Sequence, residues 1–98
     1  MKVAFRTRQL ERAFSESATA LRRWGDKAGR RYVTRIIQLS EARDFADIRA
    51  LAALRAHQLK GARRGEWAID LTERWRLIVR LEGDDEVSIE EVSRHYGD

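Results

Sequence analysis

The spacing of apolar residues changes once along this chain, near Leu54, and that change divides the fold into a helical half and a sheet half. Before it, Leu10, Phe14, Ala18, Leu21 and Trp24 recur at steps of four, four, three and three, one stripe of an amphipathic helix beginning at Thr7. Gly25 ends that stripe, and Asp26 is placed to cap a second helix. The second helix gathers Tyr32, Val33, Ile36, Ile37 and Ser40 on one face and leaves Arg30, Arg31 and Arg35 largely elsewhere. So short a joint predicts an antiparallel helical hairpin. Asp44 is expected to cap a short third helix holding Phe45, Ile48 and Leu51.

Beyond Leu54 the period is two. Trp67, Ile69 and Leu71 alternate with Glu66, Ala68, Asp70 and Thr72, and Trp75, Leu77, Val79 and Leu81 alternate with Arg76, Ile78, Arg80 and Glu82. A GDDE turn precedes a last strand that starts with Val87 and Ile89, and Lys2 to Arg6 alternates as a first short strand. The reading is α+β: an N-terminal strand and a helical hairpin packed on one face of an antiparallel sheet, a single domain over residues 1–98. If the tryptophan side meets the helices, Arg76 and Arg80 project from the opposite face, which is expected to be polar and open. Val87 and Ile89 share a parity that Val92 breaks. A bulge near Glu90–Glu91 is therefore expected, and it decides whether His95 or Tyr96 faces Arg76.

Several functional classes fall away on composition. The chain has no cysteine, which removes disulfides and thiolate metal sites. No apolar run approaches the ~18 residues of a membrane span, and MKVAFRTRQ lacks the apolar centre of a signal peptide, so a cytoplasmic protein without a membrane partner is expected. There is no Gly-rich phosphate loop, no HExxH and no nucleophile elbow. Asp84, Asp85, Glu86, Glu90 and Glu91 read as a solvated acidic turn and strand neighbours on opposite faces. Neither a metal nor a cofactor is expected.

Charge is unevenly distributed. Residues 1–40 hold ten basic and three acidic side chains, and residues 54–80 hold seven and three. Most of the basic ones are arginine, whose planar fork matches phosphate where lysine is a point charge. Two concentrated arginine blocks point to a polyanion more strongly than the net +4 does.

The residues left for chemistry are His57, Lys60, Arg63, Arg64, Arg76, Arg80, Arg94, His95 and Tyr96, a set that contains both histidines of the chain. RNA can be cut without metal because its 2′-hydroxyl can attack the adjacent phosphate. That reaction needs a base near the hydroxyl, cations around the phosphate and an acid for the leaving 5′-oxygen. Imidazole suits either proton-transfer role near neutral pH. Tyrosine and lysine titrate near ~10 and serve as bases only in electropositive or desolvated surroundings. Aromatic side chains can stack unpaired bases.

HQLKG followed by GEWAIDL, then WRLIVRLE and a terminal EVSRHYGD, resembles the RelE/ParE toxin superfamily, most closely its HigB-type (plasmid maintenance killer) branch. FRTRQLERAF and the second basic helix extend the resemblance over nearly the whole chain. It implies a type II toxin that cleaves messenger RNA on the ribosome without metal. It also implies neutralisation by a cognate antitoxin, often a helix-turn-helix protein, through which alone operator DNA would be met. Carried over by position, His57 and Lys60 match the family's His and Lys, Arg76 the arginine that stabilises phosphate charge, and His95 and Tyr96 the terminal pair. Where many relatives read Asp-Tyr-His, this chain reads Arg94-His95-Tyr96. The implied assignment has His95 or Tyr96 taking the 2′-proton, with His57 the candidate acid and Lys60 and Arg76 on the scissile phosphate. Arg63, Arg64, Arg80 and Arg94 would hold flanking RNA or ribosome. Two other readings stay open: a ParE-like inhibitor of DNA gyrase, and an inactive module that only pairs with an antitoxin.

Overall fold

A computed structural model of the protein describes residues 1–94. The chain runs β1 (Lys2–Phe5), α1 (Arg8–Ser15), α2 (Ser17–Trp24), α3 (Asp26–Glu41), α4 (Phe45–Arg49), β2 (His57–Gln58), β3 (Glu66–Asp70), β4 (Trp75–Leu81) and β5 (Glu86–Arg94). Single 3₁₀ turns lie at Ala52–Leu54 and Gly61–Arg63. The change of period near Leu54 is the boundary between helices and sheet.

The first apolar stripe is two helices rather than one. Thr7 caps α1 by accepting from Leu10 N, and the helix stops at Glu16, whose backbone leaves the helical region (φ −122°, ψ 86°). Ser15 and Ser17 flank the break, and serine hydroxyls compete with helical backbone bonding. The break re-phases the buried stripe: Ala13 and Ala20 are buried beside Leu10 and Trp24, while Ala18 is exposed.

Asp26 does not cap α3. Gly25 holds that position at φ +88°, donating to Leu21 O to close α2 and accepting from Gly29 N to open α3. Asp26 lies in the first turn, where its charge favours the helix N-terminus. Asp44 does cap α4, accepting from Ala46 N and Asp47 N.

The helices α2 and α3 cross at Gly29. A Cβ there would stand 2.7 Å from Leu21 N and 2.8 Å from the Ala20 carbonyl, both backbone atoms. Glycine inside a helix costs about 1 kcal/mol relative to alanine, so the contact outweighs propensity here. Gly29→Ala is expected to lose about 2 kcal/mol net, despite its better propensity, because the two backbones must separate. Urea unfolding midpoints measure it, and an unchanged or higher midpoint would contradict this packing.

The sheet order is β1-β5-β4-β3-β2. Strands β2 to β5 pair antiparallel, but β1 lies parallel on β5, with Val3 opposite Val87 and Phe5 opposite Ile89. The sheet is thus mixed, not purely antiparallel: the helices carry the chain away from β1, and the return passes through three other strands before β5 fills the place beside it. Leu77, Val79, Ile69, Leu71, Val87 and Ile89 face the helices and meet Tyr32, Ile36 and Leu39 in one core. Tyr32 is fully buried and donates to Leu10 O at 2.6 Å, and burial pushes its hydroxyl pKa up.

The opposite face is not open throughout. Ala68 and Ile78 lie on it and are fully buried without belonging to the main core. Arg63 Nε donates to Glu66 on β3 at 2.7 Å, and its Nη1 to Glu91 on β5 at 3.2 Å, so its side chain bridges β4 near Ile78, whose strand partner is Glu91. Arg80 Nη2 reaches the other Glu66 oxygen at 2.9 Å. The ladder from β4 to β5 skips Glu90, pairing Val79 with Ile89 and Ile78 with Glu91. That is the bulge the parity of Val87, Ile89 and Val92 requires. Among the described residues no helix is long and apolar enough to cross a membrane.

Candidate functional site

A cleft of about 620 Å³ opens where α3, the segment before β2 and the β3–β4 turn meet. Its walls carry Lys27, Arg31 and Arg35 from α3, Arg55 from the approach to β2, His57 from β2 itself, and Arg76 from β4; the acidic groups are Asp70 and Glu73. Five fixed cations thus face two carboxylates, with the imidazole beside them.

Each side chain is placed by local structure. Lys27, Arg31 and Arg35 stand four residues apart, one row along a helix. Arg31 Nη1 donates to Leu71 O at 2.8 Å, and Arg35 Nε donates to Asp70 O at 3.0 Å. Both guanidinium groups therefore bind carbonyls at the end of β3. Arg35 points inward from α3 and is nearly buried, whereas Ile37 and Ser40, read as members of the apolar face, are exposed. Burial, reinforced by Arg31 and opposed by Asp70, lowers the Arg35 pKa below its usual value. The interior tolerates this charge because the Asp70 carbonyl and Gln38 Oε1 receive its donors.

Arg55 adopts a left-handed backbone (φ 48°) and its Nε approaches Asp70 Oδ2 at 3.6 Å. His57 is exposed, with Nδ1 3.1 Å from Arg55 O. A carbonyl can only accept, so Nδ1 carries the hydrogen, and in the neutral ring the lone pair is on Nε2. Arg76 is opposite Asp70 in the ladder, and its Nε is buried with no hydrogen-bond partner among the described residues. That Nε is shielded from solvent, so an anion in the cleft would meet Arg76 through the rest of the half-buried side chain that lines it.

The other sequence-derived candidates divide. His57 and Arg76 share the cleft. Lys60, Arg63 and Arg64 belong to the Gly61–Arg63 turn and its flanks, and none lines it. Lys60 and Arg64 are exposed, whereas Arg63 and Arg80 are engaged with Glu66, which is only 7% exposed. The bonds to Glu91 and Glu66 raise the Arg63 pKa. Arg94 lies 5.2 Å over the Trp75 ring, and its strand partner is Trp75, next to Arg76. His95 and Tyr96 lie outside the described residues, and with them the question of which one faces Arg76. Among the described residues no group of three or more His, Asp or Glu could hold a metal ion.

Lys27, Arg31, Arg35 and Arg55 were not singled out by residue type. The signal was present in the four-residue spacing of the first three, which places one basic row on a helix otherwise read for its apolar face.

No protein-family model matches the chain, and no curated protein matches it in sequence. Solved structures do match over nearly its whole length. YafQ from E. coli strain BL21(DE3) superposes with a TM-score of 0.63 at 14% identity, covering 96% of this chain and 92% of that one. A YoeB/ParE toxin from Agrobacterium tumefaciens gives 0.58 at 18%, covering 98% and 100%, and a YoeB–YefM complex from Staphylococcus aureus gives 0.61 at 14%, covering 98% of both. None of the three carries the name of the HigB-type branch. The helices on one face, the mixed five-stranded sheet and these superpositions agree on one architecture: the chain has the fold of the RelE/ParE toxins.

Proposed function

We propose that this chain is the toxin of a type II toxin–antitoxin pair and that it cuts messenger RNA on the ribosome, without metal, in the cytoplasm. The observation that carries the reading is the shared cleft: His57 and the unsatisfied Arg76 stand together among Lys27, Arg31, Arg35 and Arg55. A scissile phosphate held there meets Arg76 as negative charge develops in the transition state. The 2′-oxygen attacks phosphorus, the bond to the 5′-oxygen breaks, and a 2′,3′-cyclic phosphate and a free 5′-hydroxyl result. His95 or Tyr96 takes the 2′-proton and His57 returns a proton to the 5′-oxygen. A histidine held through Nδ1 has Nε2 available for that transfer. Lys60, Arg64 and Arg94, exposed outside the cleft, hold flanking backbone or ribosome.

A cognate antitoxin, often a helix-turn-helix protein in this superfamily, is the proposed partner and the only route to operator DNA. The YoeB–YefM structure supports a second protein on this fold. The test is to express the wild type and Arg76→Ala, His95→Gln and Tyr96→Phe variants, then map mRNA 5′ ends on translating ribosomes. Codon-phased ends that disappear in the variants support the reading, and cleavage by the purified protein should survive EDTA at levels that leave ribosomes assembled. Inhibited gyrase with intact mRNA would favour a ParE-like inhibitor instead. Normal growth with intact mRNA would leave an antitoxin-pairing module.

A further inference from the structure

A second groove of about 430 Å³ adjoins the basic cleft and shares Lys27, Thr72 and Glu73 with it. Two tryptophans flank this groove, Trp24 at the end of α2 and Trp75 at the start of β4. Its charges balance, Lys27 and Arg74 against Asp26 and Glu73, whereas the neighbouring cleft holds five cations against two carboxylates. A phosphate is drawn to the cleft and gains nothing in the groove. An uncharged aromatic ligand meets the opposite preference.

The two aromatics differ in availability. Trp24 is committed to the interior, its ring 4.7 Å from Tyr32 and 9% exposed. Trp75 is half-buried and fixed in place: its N donates to Thr72 Oγ1 and its carbonyl accepts from Leu71 N and Thr72 N, closing the β3–β4 turn. Arg94 stacks over the ring and does not line the groove, so the indole already serves as a platform for a planar group. Trp75 and Arg76 are neighbours in β4 and leave the strand on opposite faces, but the cleft that includes Arg76 and the groove beside Trp75 meet at Lys27, Thr72 and Glu73, so a nucleotide bound in the cleft can place its neighbour in the groove.

We propose that the Trp75 groove is the subsite for an unpaired RNA base flanking the phosphate held in the cleft. The inference rests on the RNA-cleaving reading and deepens it: the substrate is single-stranded, and one base beside the cut is held by stacking, with little preference among bases because each has a π-face.

The test is a binding cycle. RNA trinucleotides carrying a 2′-deoxy sugar at the attack position, and therefore uncleavable, are titrated against wild type, Trp75→Leu and Trp75→Phe at low salt, each with all bases present and with an abasic residue at each position in turn. One abasic position should weaken wild-type binding about tenfold. Trp75→Leu should abolish that penalty, and Trp75→Phe should retain part of it. Comparing ligands on the same variant separates the stacking effect from any loss of folded protein. Arg76→Ala should weaken every trinucleotide alike.

An abasic penalty that persists in Trp75→Leu, or the absence of any penalty in the wild type, overturns the inference and leaves the cleft reading standing. A wild type that binds none of the trinucleotides also overturns the inference, and 5′-end mapping on ribosomes decides the cleft reading separately.

Discussion

Arg76→Ala is expected to cut ribosome-dependent mRNA cleavage by roughly 10²–10³, the loss typical of one preorganised donor to transition-state charge. It should do so while leaving thermal stability nearly unchanged. Several arginines in this fold already have partners: Arg31 and Arg35 bind carbonyls, and Arg63 and Arg80 hold Glu66. Arg76 differs, because its Nε is buried without a partner and no carboxylate among the described residues lies within ion-pair distance. Removing an unsatisfied donor relieves a cost of about 1–3 kcal/mol, which offsets the lost packing of the side-chain stem. Activity and stability should therefore separate: 5′-end mapping registers a large loss and the melting curve almost none. Arg76→Lys keeps the charge but not the fork, and should fall between alanine and wild type. Cleavage that survives Arg76→Ala at the wild-type rate would remove the cleft from the mechanism.

Local chemistry was legible where one element decided it. The change of period near Leu54, the Asp44 cap and the bulge at Glu90 each follow from a few adjacent residues, and each is found in the structure. What escaped depended on distant partners. Spacing alone also reads the first stripe as continuous through Glu16, although the backbone leaves the helical region there. The parallel seating of β1 on β5 joins the two ends of the chain, a pairing no local pattern encodes. Arg35 is buried because the carbonyl of Asp70 receives it, and Asp70 is thirty-five residues away. The candidate site divides in the same way. His57 and Arg76 were identifiable by residue type and do share a cleft, while the α3 row is written in a four-residue spacing that becomes one wall only where α3 is seated against the β3–β4 turn.

Simultaneous Arg63→Met and Arg80→Met replacement is expected to cost about 3 kcal/mol of stability, since it strands the buried Glu66 carboxylate without its two partners. Either single change should cost about 1 kcal/mol or less, because each guanidinium is some two-fifths exposed and the other still holds one carboxylate oxygen. Urea unfolding of the four proteins should show this excess as a coupling of about 1 kcal/mol or more. The same variants separate two roles for the arginines. Lys60 and Arg64 are exposed and form no ion pair among the described residues, so neutralising either should lower the salt slope of RNA binding by about one. Arg63 and Arg80 give their donors to Glu66, so their loss should move stability far more than that slope. A double variant of wild-type stability whose slope falls by about two would mean that both side chains leave Glu66 for RNA phosphate, and that the roof over Ile78 opens when RNA binds.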